Sequence, residues 1–139
     1  MKTLIAIPVF NEEKSLRDVV SDTAQRLSGD MDRIVLINDG STDSSHREIL
    51  RLCEIYDSVE LIHHEKNRGY GASMIDALSY GRKSGYDYVI TMDCDRQHRP
   101  EDLSRFLRAD PEIDVLSGSR YLPDSGDSGS APVDRVEIN

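Results

Sequence analysis

A chain of 139 residues can build one domain around a real hydrophobic core, but hardly two. Hydrophobic residues make up 37% and charged residues 31%, the balance of a soluble globular protein, and no apolar run approaches the ~20 residues of a membrane span. The formal net charge of −9 argues against non-specific nucleic-acid binding, which needs Lys and Arg to neutralise phosphates; it leaves open a phosphorylated small substrate whose charge a metal ion offsets.

Met1 to Pro8 is too short, and too soon interrupted by Asn11-Glu12-Glu13, to read as a signal peptide. Thr3 to Pro8 is the first strand. A helical stripe follows from Glu12 to Leu27, with apolar residues at Leu16, Val19, Val20, Ala24 and Leu27, and Ser28-Gly29-Asp30 stops it. Arg33 to Asn38 reads as the second strand. Asp39-Gly40-Ser41-Thr42-Asp43 is a turn, in which Asp43 suits a cap for the helix over Ser45 to Tyr56. That helix carries Ile49, Leu50, Cys53 and Tyr56 on one side.

Val59 to His63 is a short third strand, with His63 and His64 assigned to the strand end and the surface. A polar loop leads into a helix from Tyr70 to about Arg82, whose inward residues are read as Ala72, Met74, Ile75 and Leu78. Tyr88 to Met92 is a fourth, buried strand. Pro100 fits the first position of the next helix, with Leu103, Phe106 and Leu107 apolar. Residues 115–119 give a weaker fifth strand. From Leu122 to Val133 the chain has no apolar periodicity and reads as a mobile flap; Val133 to Asn139 reads as the start of a helix. Cys53 and Cys94 lack metal-ligand spacing and fit a reduced, cytoplasmic setting.

Alternating strands and helices predict an α/β fold, a mainly parallel sheet flanked by helices. Ligands of such sheets sit outside the carboxyl ends of the strands. Asn11, Glu12, Asp39, Gly40, Ser41, Arg68, Gly69, Asp93, Asp95 and Gln97 all follow strand ends and so share one rim. Asp93 and Asp95 stand one residue apart, and in extended chain they share a face. Paired carboxylates repel unless a cation lies between them. Mg²⁺ or Mn²⁺ takes such oxygen ligands while keeping sites for water and phosphate. An isolated Asp-x-Asp is more often a solvated loop or a helix cap. The convergence of four loops on one rim is what favours a metal-bridged diphosphate.

The loops I-P-V-F-N-E-E (7–13), I-N-D-G-S-T-D (37–43), N-R-G-Y-G-A-S (67–73) and D-C-D-R-Q-H-R-P-E-D (93–102) resemble, in order and spacing, those of family-2 glycosyltransferases of the GT-A fold. With G-S-R-Y (118–121), the set is similar to the dolichyl-phosphate mannosyltransferases and the polyprenyl-phosphate glycosyltransferases. The resemblance implies a nucleotide-sugar-binding GT-A domain over 1–121, with an acceptor-side loop and the start of a truncated helix over 122–139.

It also implies roles. Pro8, Val9, Phe10, Asn11 and Glu12 line the nucleoside pocket, Glu12 accepting from a ribose hydroxyl, although Glu12 or Glu13 equally suits helix capping. Asp39 accepts from the base N–H, or is simply a turn residue. Arg68 and Gly69 meet phosphate at a helix start, against a plain loop-to-helix turn. Asp93 lies near the ribose and metal, Cys94 joins the nucleotide-sugar-binding residues, Asp95 is the principal metal ligand and with Arg120 a catalytic residue, and Gln97 adds to the metal site. Arg120 helps hold phosphate, against a buried structural ion pair. The subgroup commonly carries an apolar residue where Arg96 stands and a proline where Arg99 stands; either arginine suits a surface charge or an anionic acceptor.

The implied activity is metal-dependent, inverting transfer of a sugar from a GDP- or UDP-sugar to a polyprenyl or dolichyl phosphate at the cytoplasmic face of a membrane. Full members continue beyond the point where this chain stops, so a nucleotide-sugar-binding fragment is the alternative. A nucleotidyltransferase ranks lower, because P-V-F-N-E-E replaces the glycine-rich basic loop that such enzymes place after the first strand.

Overall fold

A computed structural model describes residues 1–27, 29–110 and 112–118. The chain divides into two compact units, Met1–Arg108 and Ala109–Asn139. The first contains every helix and strand found among the described residues.

Four strands form one parallel sheet: β1 (Thr3–Val9), β2 (Arg33–Asp39), β3 (Val59–His64) and β4 (Tyr88–Thr91), in the order β3-β2-β1-β4. Helices α1 (Leu16–Ala24), α2 (Ser45–Ile55) and α3 (Tyr70–Lys83) connect them in turn. A 3₁₀ turn at Pro100–Asp102 leads into the short α4 (Leu103–Leu107). The expected α/β plan is therefore present.

Alternation along the strands builds two cores. Ile5, Ile7 and Val9 of β1 face one side with Ile34 and Leu36 of β2, where Leu16, Val19 and Val20 of α1 and Ile49 and Leu52 of α2 cover them. Leu4, Ala6, Val35 and Ile37 face the other side, under Ala77 of α3. A strand buried on both faces must be apolar throughout, which is why β1 and β2 read as continuous hydrophobic runs.

Five details differ from the sequence reading. The inward face of α3 is Ser73, Ala77 and Gly81, whereas Ile75 and Leu78 are 66% and 55% exposed. The helix lies so close to the sheet that a Cβ on Gly81 would come within 2.5 Å of Val89 Cγ2, so only small residues fit that face. On α2 the buried pair is Ile49 and Leu52; Leu50 turns outward. β4 is an edge of the described sheet and only partly buried, with Thr91 exposed, because β1 is its single partner there. Residues 115–118 form no strand, and Val115 is 85% exposed; Ser119 lies outside the described residues, as does all of 120–139. The first helix also starts later than expected, since 12–15 form a turn in which Glu12 O accepts the N–H groups of Ser15 and Leu16.

The turn after β2 carries a strict backbone requirement. Gly40 has φ +70°, and a Cβ there would lie 2.4 Å from Asn67 N and 2.5 Å from Lys66 C. Both obstacles are backbone, so neither can rotate away. Gly40→Ala is expected to cost about 3 kcal/mol or more, read as a fall in the urea midpoint at unchanged m-value.

Candidate nucleotide-sugar site

The chain runs β1, β2, β3 in one direction across the sheet, then returns past β1 to place β4 on its other side. The loops after β1 and β4 therefore leave the sheet in opposite directions, and in open α/β sheets the crevice at such a switch point is where ligands bind. Asn11 and Glu12 stand on one side of that switch point; Asp93 and Asp95 stand on the other. Among the described residues, the non-glycine positions with positive φ are Asn11 (57°) and Arg96 (65°), one in each loop. Such backbone is costly and is held where its surroundings demand it.

Hydrogen bonds stitch the rim together. Asn11 Oδ1 accepts the Thr42 N–H at 2.8 Å, and Asn11 N–H donates to Ser41 Oγ at 3.1 Å. Glu12 N–H donates to Ser45 Oγ at 2.9 Å. Asp43 Oδ1 accepts from the amide of Ser45, the first residue of α2, at 2.8 Å, which is the capping role expected of it. Glu13 Oε2 accepts the N–H of Ser44, the residue before α2, at 2.9 Å, and Glu12 Oε2 takes the Ser15 hydroxyl at 3.0 Å, so neither carboxylate caps α1. Asn38, fully buried, closes the turn by accepting the Ser41 N–H at 3.1 Å. Its amide nitrogen then faces Nδ1 of both His46 (3.0 Å) and His63 (3.3 Å).

Asp39 is 4% exposed and ties the β2 end to the loop before α3. Its Oδ1 accepts the Arg68 N–H at 2.8 Å and meets His64 Nδ1 at 2.7 Å; its Oδ2 accepts the Gly69 N–H at 2.8 Å. Burial works to raise this carboxyl. The hydrogen bonds from His64, Arg68 and Gly69 outweigh it and hold the group below the usual carboxylate range. His64 is not a surface residue: in the parallel register it pairs with Asp39, and its side chain is 4% exposed. Its Nε2 lies 2.7 Å from Asp76 Oδ2, which also accepts from Arg68 Nη1 at 2.9 Å. Sequence reasoning missed His64 and Asp76. The available signal was the second histidine at the end of a strand paired in register with Asp39.

The alternation expected of the acidic pair is present. Met92 and Cys94 are buried in the core beside α1, while Asp93 is half-buried and Asp95 exposed. Asp93 N–H donates to His98 Nδ1 at 2.8 Å, and Asp95 Oδ1 accepts the Gln97 N–H at 2.9 Å. Arg96 pairs with Asp18 of α1, and Arg99 with Asp102, so both depart from the subgroup as surface ion pairs. Burial, with the Glu12 carboxylate near, pushes the Cys94 thiol up to about 12 against a Ser15 hydrogen bond. The Glu12 carboxylate thus stands within electrostatic reach of the loop after β4. The Cys94 side chain belongs to the core rather than to the rim. Partial burial and the Asp93 charge raise the Tyr70 hydroxyl, which brings the start of α3 within electrostatic reach of Asp93.

Of the residues named from the sequence, Asn11, Glu12, Asp39, Arg68, Gly69, Asp93, Asp95 and Gln97 stand in loops or strand ends of this one rim. Pro8 is partly buried and Phe10 is exposed. The Val9 and Cys94 side chains lie in the core, so only their backbone groups can face a ligand. Arg120 lies outside the described residues. Among the described residues no three His, Cys, Asp or Glu side chains gather closely enough to hold a metal ion. Asp93 and Asp95 alone offer hard oxygen donors from one turn. That fits Mg²⁺ or Mn²⁺, which keep several positions for water and phosphate rather than filling a protein cage.

The model of glycosyl transferase family 2 matches residues 4–137. Polyprenol monophosphomannose synthase of Mycolicibacterium smegmatis is 34% identical over 125 residues, covering 88% of this chain and 46% of that protein. Undecaprenyl-phosphate 4-deoxy-4-formamido-L-arabinose transferase of Salmonella paratyphi B is 35% identical over 122 residues, covering 86% of this chain and 37% of that one. The chain thus spans less than half the length of these relatives. Mannosyltransferase PcManGT from Pyrobaculum calidifontis, solved with GDP-Man and Mn²⁺, shares the fold at TM-score 0.58 and 18% identity over 68% of this chain and 27% of that one. Motif order, parallel sheet, shared rim and family match agree: the chain belongs to glycosyl transferase family 2.

Proposed function

We propose that this chain binds a nucleoside-diphosphate sugar at the β1–β4 switch point and serves metal-dependent, inverting transfer of the sugar to a polyprenyl phosphate. The observation that carries the reading is the meeting of four loops on one rim, with the Asp93–Asp95 carboxylates facing away from a core anchored by Met92 and Cys94. The acceptor class is that of the relatives, a polyprenol monophosphomannose synthase and an undecaprenyl-phosphate transferase, and the Mn²⁺ of the mannosyltransferase complex supports the cation.

Asp93 and Asp95, with Gln97, would hold Mg²⁺ or Mn²⁺, which supplies positive charge to the leaving diphosphate. The chain's own residues do the positioning. Asp39 Oδ2 accepts one hydrogen bond, from Gly69, and so has capacity for a base N–H as well. Glu12 suits a ribose hydroxyl. The Arg68 guanidinium favours phosphate, while the Arg68 and Gly69 amides are already taken by Asp39. Arg120 extends that role through its motif alone. In the transfer, an oxygen of the acceptor phosphate attacks the anomeric carbon as the bond to the diphosphate oxygen breaks; the nucleoside diphosphate leaves and the configuration inverts. An acceptor that is already anionic needs no general base. No helix among the described residues is long and apolar enough to cross a membrane.

Titration calorimetry with UDP-sugars and GDP-sugars, with and without Mn²⁺, tests donor binding. A turnover assay with undecaprenyl phosphate tests transfer. Mn²⁺-dependent binding with formation of the lipid-linked sugar is the expected result. Because the chain spans under half of its relatives, binding without turnover would assign it donor binding alone. Absence of binding to every donor would overturn the proposal.

A further inference from the structure

Arg68 is held at both ends of its length. Its backbone N–H donates to Asp39 Oδ1 at 2.8 Å, and its Nη1 donates to Asp76 Oδ2 at 2.9 Å. The two carboxylates are joined through His64, whose ring nitrogens lie 2.7 Å from each. The four residues thus form one cluster of polar contacts, Asp39, His64, Asp76, Arg68 and back to Asp39, and Arg68 Nη1 also lies 3.2 Å from His64 Nε2. An exposed arginine–aspartate pair is ordinarily worth little, because both side chains must be ordered in water. Here Asp76 projects from the rigid α3 and is braced by a ring only 4% exposed, while the Arg68 side chain keeps 54% of its surface in solvent.

We infer that Asp76 is a positioning residue, one that presets the Arg68 guanidinium for the donor's diphosphate. The inference rests on the function proposed above. A guanidinium presents five N–H donors in a fixed fork. With Nη1 anchored, the fork is oriented before ligand arrives, and binding loses less side-chain freedom. The opposing effect is the Asp76 charge, which weakens the local attraction for an anion. Positioning and repulsion therefore predict opposite signs when that charge is removed.

The test measures binding of UDP and GDP, each with Mn²⁺, to the full chain and to Asp76→Asn, Asp76→Glu, Arg68→Ala and the Asp76→Asn/Arg68→Ala double variant. Asp76→Asn should weaken diphosphate binding about tenfold, within the usual range of coupling between interacting groups. The double variant should bind no more weakly than Arg68→Ala alone, since Asp76 acts through Arg68. Asp76→Glu keeps the charge and should recover much of the affinity even if Asp76→Asn folds poorly. Unchanged or tighter binding by Asp76→Asn, or losses that add in the double variant, would overturn this inference alone. A wild-type chain that binds neither nucleotide would overturn the functional proposal and this inference with it.

Discussion

Replacing Asp39 with alanine is expected to cost about 2–4 kcal/mol of folding stability, the range for stranding several buried polar groups. Asp39 is the one acceptor shared by the Arg68 amide, the Gly69 amide and His64. Removing it leaves two N–H groups and a ring nitrogen without their partner at a strand end that is almost fully buried. Gly69 is the cap of α3, with φ +90°, so the helix start loses its anchor to the sheet. The isosteric Asp39→Asn separates shape from charge. One amide oxygen can still accept, but the NH₂ group must face a donor, and most of the loss should remain. Nucleotide binding should fall with either variant, because the loop carrying Arg68 is no longer tied down.

The same residue gives a signed pH dependence. Its carboxyl is held below the usual range by hydrogen bonds that outweigh burial. The native state therefore binds fewer protons than the unfolded chain between the two carboxyl values, and stability rises with pH there. The contribution is fully present above about pH 4, the ordinary Asp value, and is lost as pH falls through the lower native value. Urea midpoints of wild type and Asp39→Ala should differ by a constant amount from neutrality down to about pH 4 and converge in stronger acid. A gap that widens on acidification would contradict this account.

Asp95→Ala should do the opposite: little to the fold, much to the ligand. The residue is exposed, and its carboxylate accepts the Gln97 N–H at 2.9 Å within a loop already anchored by Met92 and Cys94. A stability change within about 0.5 kcal/mol is expected for such a site. If the carboxylate holds the cation, Mn²⁺-dependent nucleotide binding should fall by about 100-fold or more, at or beyond the upper range for residues that only support a metal's ligands. Calorimetry at fixed Mn²⁺, with a thermal melt of the same sample, checks both halves. A variant that unfolds would show Asp95 to be structural. A variant that binds as tightly as wild type would remove the cation from this turn.

Much of this architecture was legible because it is local. Within T-L-I-A-I-P-V and R-I-V-L-I-N-D the central stretches L-I-A-I and I-V-L-I are apolar at every step, as strands covered on both faces must be, and both strands formed where expected. The helical stripes of α1 and α2 followed their spacing, with Leu52 displacing Leu50 on the inner face. The face of α3 was misread because apolar character is a poor guide where a helix must approach closely. Ser73, Ala77 and Gly81 face the sheet for their smallness, and the larger Ile75 and Leu78 are left outside. The strand expected over 115–119 had two apolar residues followed by Ser and Gly, too little to bury on a pleated surface.

By itself, then, the order of residues determined the strand–helix alternation, the single rim on which the loops after the strands meet, and the outward pairing of Asp93 with Asp95, since each follows from a period of two or about four residues along the chain. The tertiary structure decided that β4 returns to lie beside β1, which makes the switch point there. It also decided that His64 is buried between Asp39 and Asp76, and that Arg68 is gripped at both ends. These contacts join residues from separate strands, a loop and a helix. Their distances depend on how the elements stack, which no periodicity along one segment encodes.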